Sequence, residues 1–260
     1  MKSHHSAEPH PAPQILREAF RILDCFSVDT PCLHPSEIVR MTGMPSSTLT
    51  GILHALVEEN ALQREGAFFC VGLRVIRWSA SADVASDLIT AARPAVAALR
   101  DRTGECCGLH IRRHGNQVTV VWANSTRPLT PHGYVGQVRP LCGSAAGKVF
   151  MAYEPHALRL VLDAGLTAYT RRTVVQPEAL HRQLDEIRLR GWTFVCEEHE
   201  MGLNALAAPV YATDGTVTAA VTLGGPTQRL TSDRVEELAR HVTDCALDIS
   251  RFLATSRWSG

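Results

Sequence analysis

Apolar positions along this chain recur at helical or strand period, and they divide it into two blocks. From Gln14 onward, Ile15, Leu16, Ala19, Phe20, Leu23 and Phe26 make a broad helical stripe. Residues 27–34 carry Asp29, Thr30 and Pro31 and read as a loop. A short helix over 35–42 is stopped by Gly43. Then Leu49, Ile52, Leu53, Leu56 and Val57 fall at the i, i+3, i+4, i+7, i+8 spacing of one buried helix face, with Pro45 suited to its first turn. Residues 62–71 read as two short strands about a Glu65-Gly66 turn. Three helices and a hairpin predict a winged helix-turn-helix over residues 14–72.

The second block opens with a linker helix over 73–83 and a longer helix reaching Thr103, whose apolar side is Val84, Leu88, Ile89, Ala92, Val96 and Leu99. Pro94 should kink that helix or start a new turn. Strands follow at 106–112 and 117–123, then helices at 155–164 and 176–190, a strand at 191–196 and a loop at 197–202. Strands at 205–211 and 217–224 flank an Asp214-Gly215 hairpin turn, and a helix over 232–253 ends the pattern. A sheet with helices at both ends of the segment is α+β, so residues 84–254 form a second domain of that class.

Composition changes this picture little. The 260 residues suffice for one large or two medium domains, and the 26 basic and 26 acidic side chains balance. No apolar run approaches the ~18 residues of a membrane span, so no membrane partner is expected. Residues 1–13, rich in His, Pro and Ser, lack the apolar core of a signal peptide and read as a disordered leader. The eight cysteines form no C-x-x-C pair and are expected as reduced thiols in a cytoplasm.

The face left outside the core on this second helix, which starts at Pro45 and ends near Asn60, begins Ser46, Ser47, Thr50, Gly51, His54. Small polar side chains of this kind can enter a major groove and reach bases and phosphates; Thr48 joins them, and Arg40 and Arg64 are placed for phosphate. An ordinary helical hairpin in a core is the other reading. Charge argues against DNA: residues 14–78 hold six arginines against seven acids, whereas a DNA-binding surface usually has a basic excess. Either charge is segregated by face, or a dimer doubles a modest affinity, or the domain binds protein.

Other clusters carry less. Cys107, His110 and His114 suggest a metal, but strand alternation sends Cys107 and His110 to opposite faces, and Arg112 and Arg113 would repel a cation. Gly143 to Lys148 misses the phosphate-loop spacing by one residue and has Val149 where Ser or Thr should hold magnesium. Glu197, Glu198, His199 and Glu200 would need a cleft to act as acid and base. With no nucleophile turn, dinucleotide fingerprint or zinc motif, neither an enzyme nor a cofactor is expected.

Several of these stretches resemble one family. Gly43-Met44-Pro45-Ser46-Ser47-Thr48 is similar to the G-L-P-x-S-T turn of the IclR family of bacterial transcriptional regulators, and Phe69-Cys70-Val71-Gly72-Leu73-Arg74 to its Y-x-L-G-x-R wing exit. Ala92-Arg93-Pro94 with Thr103-Gly104-Glu105 resembles its A-R-P…T-G-E pattern. Residues 136–148 resemble its G-x-x-x-P-L-x-x-[ST]-A-x-G-K loop, and Glu197-Glu198-His199 its E-E-H before G-x-x-C-x-A-A-P-V. The resemblance implies a GAF-like effector-binding fold for the second domain. It implies a double-stranded DNA operator and a small-molecule effector as partners, and self-association into a homodimer or homotetramer. One departure is Gly51, where the family usually has arginine.

The resemblance also implies effector contacts at Leu141, Ser144, Ala145, Val195, Ala205, Leu206, Thr222 and Gly224. Relatives that sense small carboxylic acids have Asp, Cys, Ser and Ser at the positions of Val195, Ala205, Thr222 and Gly224; three of the four polar groups are absent here. A roomier, more apolar site is expected to take a larger, partly apolar effector such as an aromatic acid, anchored by Ser144, Thr222 and backbone N–H groups. Ser144 serves equally well as a helix cap. The other outcome is a pocket that responds to no ligand.

Overall fold

The structure, a computed structural model, describes residues 13–27, 30–80 and 86–255. Apart from Pro13, the expected leader lies outside these residues, as do positions 81–83 of the expected linker and 84–85, with Val84, of the helix expected after it. The chain divides into two compact units, Met1–Asp83 and Val84–Gly260.

The first unit contains α1 (Gln14–Leu23), β1 (Cys32–Leu33), α2 (Pro35–Thr42), α3 (Ser46–Glu58), β2 (Leu62–Glu65), β3 (Phe68–Val71) and α4 (Arg74–Ala80). Its core collects Ile22, Ile38, Met44, Leu49, Ile52, Leu53, Leu62 and Phe69. The start of α2 is fixed by a reciprocal cap: the Glu37 carboxylate accepts from the His34 N–H at 2.8 Å, and His34 Nδ1 accepts from the Ser36 N–H at 3.3 Å. Gly43 ends it at φ 69°, the left-handed value that lets the chain reverse into α3.

Two sequence expectations change here. The 27–34 loop contains strand β1, which pairs antiparallel with β3 to give a three-stranded wing sheet of order β1-β3-β2. A two-residue strand has no period to recognise, and its partner lies 38 positions away. The same pairing sets Cys32 opposite Cys70, with Cα atoms 4.1 Å apart, and the two form a disulfide, so not all cysteines are reduced thiols. Glu65 lies beside these sulfurs, which are bonded to each other.

The second unit is a six-stranded antiparallel sheet of order β6-β5-β4-β9-β8-β7, built from β4 (Cys106–Arg113), β5 (Asn116–Ala123), β6 (Val138–Pro140), β7 (Thr193–Cys196), β8 (Leu203–Tyr211) and β9 (Val217–Pro226). One face packs on α5 (Ser86–Thr103) and α9 (Val235–Thr255) through Leu99, Leu109, Leu206, Val221, Leu223, Val242 and Ile249. The other packs on α6 (Ala145–Tyr153), α7 (Pro155–Ala164) and α8 (Pro177–Arg190) through Val195, Ala207, Ala220, Phe150 and Leu184. α5 runs continuously through Pro94. An internal proline costs roughly 3 kcal/mol; burial of Leu88, Ala91 and Ala92 before it and Val96 and Leu99 after it offsets that cost.

Candidate DNA-reading face and effector cavity

In the first unit, α3 turns Leu49, Ile52 and Leu53 inward and leaves Ser46, Ser47, Thr48, Thr50, Gly51 and His54 exposed. Pro45 takes the cap position just before the helix. Thr50 Oγ1 donates to the Ser46 carbonyl at 2.8 Å, which holds its methyl and oxygen in one orientation on the exposed face. Arg40 is exposed in the last turn of α2. Arg64 is exposed on β2, its Nε donating to the Gly66 carbonyl at 3.0 Å. Nothing lies within 4 Å of where a Cβ on Gly51 would stand.

In the second unit, the sheet face bearing α6 and the loops beside it line a part-open cavity of about 120 Å3. Its floor follows from strand register. Val195 pairs with Ala205 and Ala205 with Gly224, so three small side groups lie in one row across β7, β8 and β9. The next row sets Thr222 against Gly108 and Gly108 against Trp122. Around this floor stand His110, Gln117, Arg139, His199 and Asn204.

His110 is fully buried, with Nε2 2.8 Å from Thr222 Oγ1 and Nδ1 3.1 Å from Thr119 Oγ1. Burial, and secondarily the charge of Arg139, push its pKa down to about 3, so the ring is neutral at physiological pH. His199 is likewise pushed below its ordinary value by burial and then by Arg139. Loop 197–202 presents His199 and Glu200 to the cavity. That loop is held from behind: Glu198 makes a buried ion pair with Lys148 of α6, and the Lys148 ammonium also donates to Gln183 Oε1 at 2.7 Å. Thr170 and Thr173 hydroxyls donate to the carbonyls of Glu197 and Glu198 at 2.7 and 2.6 Å. The Glu-Glu-His cluster is therefore a strapped loop in which Glu198 is already paired.

Of the eight predicted effector contacts, Ser144, Ala145, Val195, Ala205, Thr222 and Gly224 line the cavity, and Leu141 and Leu206 do not. Leu206 neighbours Ala205 in a strand, so alternation sends it to the opposite face, into the α5–α9 core. Leu141 is buried in the α6–α8 core, and its carbonyl would lie 1.9 Å from a Cβ on Gly147, which explains a glycine in that turn of α6. Ser144 caps α6: its Oγ accepts from the Gly147 N–H at 3.0 Å, with Gln117 Oε1 at 3.0 Å and the Leu141 carbonyl at 3.1 Å within reach of its proton. Sequence reasoning did not place His110, Arg139 or His199 at the cavity. His110 shows at most an alternation partner, and Arg139 carries no local signal.

A three-helix winged unit with a polar recognition face, on the same chain as an α+β unit with a part-open cavity, defines a DNA-binding regulator with its own sensor. Residues 16–66 match the IclR helix-turn-helix domain, and residues 81–251 match the bacterial transcriptional regulator IclR C-terminal domain. The chain belongs to the IclR family of transcriptional regulators. It is 30% identical over 241 residues to the HTH-type transcriptional regulator RhmR of Escherichia coli, covering 92% of each. It is 26% identical over 243 residues to the transcriptional repressor IclR of the same organism, covering 91% of this chain and 89% of that one. In fold it is similar to an IclR homologue from Microbacterium hydrocarbonoxydans crystallised with 4-hydroxybenzoate, at TM-score 0.78 and 24% identity over 94% of this chain and all of that one.

Proposed function

We propose that this regulator binds a double-stranded operator through α3 and the wing. We propose further that a small, partly apolar organic acid in the second unit's cavity modulates that binding. The observation that carries the DNA reading is the single polar, exposed face of α3 on a helix whose other face is core. Ser46, Ser47, Thr48, Thr50 and His54 read bases, and Arg40 and Arg64 hold phosphate. One recognition helix per chain covers a half-site, so the protein works as a homodimer or dimer of dimers on a pseudo-palindrome. Repression is the sign carried by the transcriptional repressor IclR that it resembles. It performs no reaction on the acid, and it acts in the cytoplasm, where its operator is.

The effector reading rests on the cavity. At about 120 Å3 the cavity is smaller than the ~150 Å3 enclosed apolar cavity that holds benzene, but it is part-open, so over Val195, Ala205 and Gly224 it suits one small ring or short alkyl body with part of the molecule toward the mouth. The 4-hydroxybenzoate bound by the Microbacterium homologue is of that class.

The test is a mobility-shift assay on the DNA upstream of the chain's own gene, with and without a panel of aromatic and aliphatic acids. Thr50→Ala and His54→Ala should change base preference, while Arg64→Ala should weaken all sequences and lower the salt slope by about one. Footprints identical to the parent's for all three variants would remove the assignment. The lack of basic excess over residues 14–78 supports one other reading, a protein-interaction module without specific DNA binding. Competitor DNA that abolishes every shift would favour it.

A further inference from the structure

Most polar side chains around the cavity are already partnered within the protein. Ser144 caps α6, and Thr222 is bonded to His110. Asn204 Nδ2 donates to the Leu230 carbonyl at 2.8 Å, and its Oδ1 accepts from the Glu197 N–H at 3.1 Å. These groups fix the walls and have little left for a ligand. The anchors expected from family resemblance, Ser144 and Thr222, are among them.

Arg139 is different. It lies half-buried on the edge strand β6, opposite Gln117 of β5. A guanidinium carries five N–H donors, and the hydrogen bond found for this one is from Nη2 to the His132 carbonyl at 3.2 Å. Among the described residues no carboxylate lies within 4.0 Å of it, although ten other ion pairs form in the chain. Among the described residues it is the one Lys or Arg in the cavity lining, and the one acid among them there, Glu200, is exposed and not bridged to it. His199 Nδ1, on a residue of the same lining, is buried without a hydrogen-bond partner. Burial lowers the pKa of both His110 and His199 and so disfavours their charged forms, which leaves Arg139 as the permanent positive charge of the cavity. An uncompensated guanidinium beside an apolar floor is the arrangement that favours an anion with an apolar body.

We propose that Arg139 seats the effector's carboxylate and makes the cavity select an anion over its neutral isostere, with the effector's body over Val195, Ala205 and Gly224. This rests on the reading of the cavity as the effector site. It adds that the charge is recognised from β6, and not at the start of α6.

The experiment is calorimetric titration of the full-length protein with benzoate, 4-hydroxybenzoate and phenylacetate, each beside its amide, on the parent, Arg139→Gln and Arg139→Lys. Thermal melting checks that the variants are folded. The parent should prefer acid to amide. Arg139→Gln should weaken the acids about tenfold to a hundredfold, the loss expected for a hydrogen bond to a charged group, and bring acid and amide level; Arg139→Lys should keep part of the preference. An acid preference that survives in a folded Arg139→Gln overturns the role of Arg139 and leaves the effector reading standing. A parent that binds none of the acids overturns both.

Discussion

His110 and Thr222, 112 positions apart, join across β4 and β9 by a 2.8 Å hydrogen bond between the imidazole Nε2 and the hydroxyl, while Thr119 holds the other ring nitrogen at 3.1 Å. One ring nitrogen of the neutral imidazole donates and the other accepts; the hydroxyl on the accepting side can turn to accept a second proton's bond, so it is burial, and then the charge of Arg139, that disfavours the imidazolium. The unfolded histidine takes a proton below about pH 6.5, and the folded one, with its pKa lowered to about 3, does not until far lower. The unfolded state therefore binds the extra proton between these values, and stability falls as pH drops through that window, by at most about 1.4 kcal/mol per unit from this group. Urea unfolding at pH 7 and pH 5 measures the loss. His110→Gln, though less stable at pH 7, should show a smaller loss on acidification; an equal loss would place the acid sensitivity elsewhere.

Thr222→Val keeps the shape of the side chain and removes the hydroxyl. Because that hydroxyl partners a buried nitrogen, the variant should lose about 1–3 kcal/mol of stability with no ligand present. If Thr222 were a free ligand anchor, the valine variant would be as stable as the parent and would differ only in effector affinity. Equilibrium denaturation without effector separates the two cases.

Local period and punctuation made most of the fold legible. The five apolar positions of α3 and the Gly43 stop were readable, and α7 runs over the residues that Pro155 and the apolar spacing mark. What escaped was non-local. β1 and β6 are two and three residues long and exist through their partners β3 and β5. The cavity is a convergence of all six strands β4 to β9 with α6 and the loops beside them, so Arg139 and His199 meet the same space from positions 60 residues apart with no shared motif. Family resemblance named Ala205 and Leu206 together, and alternation within one strand allows only one of them to face the cavity.

The Cys32–Cys70 bond closes a loop of 38 residues that contains α2, α3 and the wing turn. In the chain-entropy account such a crosslink stabilises the folded state by about 4 kcal/mol. Cys70→Ser, or a reducing agent, should therefore lower the melting temperature of the first unit and leave the second unit's unfolding unchanged. Thiol titration before and after denaturation verifies the bond; eight free thiols in the untreated protein would show that it does not form.

Gly51 stands where relatives of this family usually carry arginine, on the exposed face of α3 beside Thr50 and His54. Open space surrounds its Cβ position, so a larger side chain meets no steric cost. Arginine also favours the helix over glycine, by somewhat less than the roughly 0.8–1 kcal/mol that separates glycine from alanine. Gly51→Arg should thus raise the stability of the first unit slightly and add one cation to the DNA-reading face. If that face meets the groove, DNA affinity should rise at low salt, and the slope of log affinity against log salt should steepen by about one. Sequence preference should shift as well, since an arginine there reaches guanine edges, where bidentate contact discriminates by roughly 1–3 kcal/mol. Fluorescence anisotropy with the upstream fragment and a scrambled duplex, each over a salt series, measures all three effects. A variant with raised stability but an unchanged slope on both duplexes would mean that this face of α3 does not meet DNA.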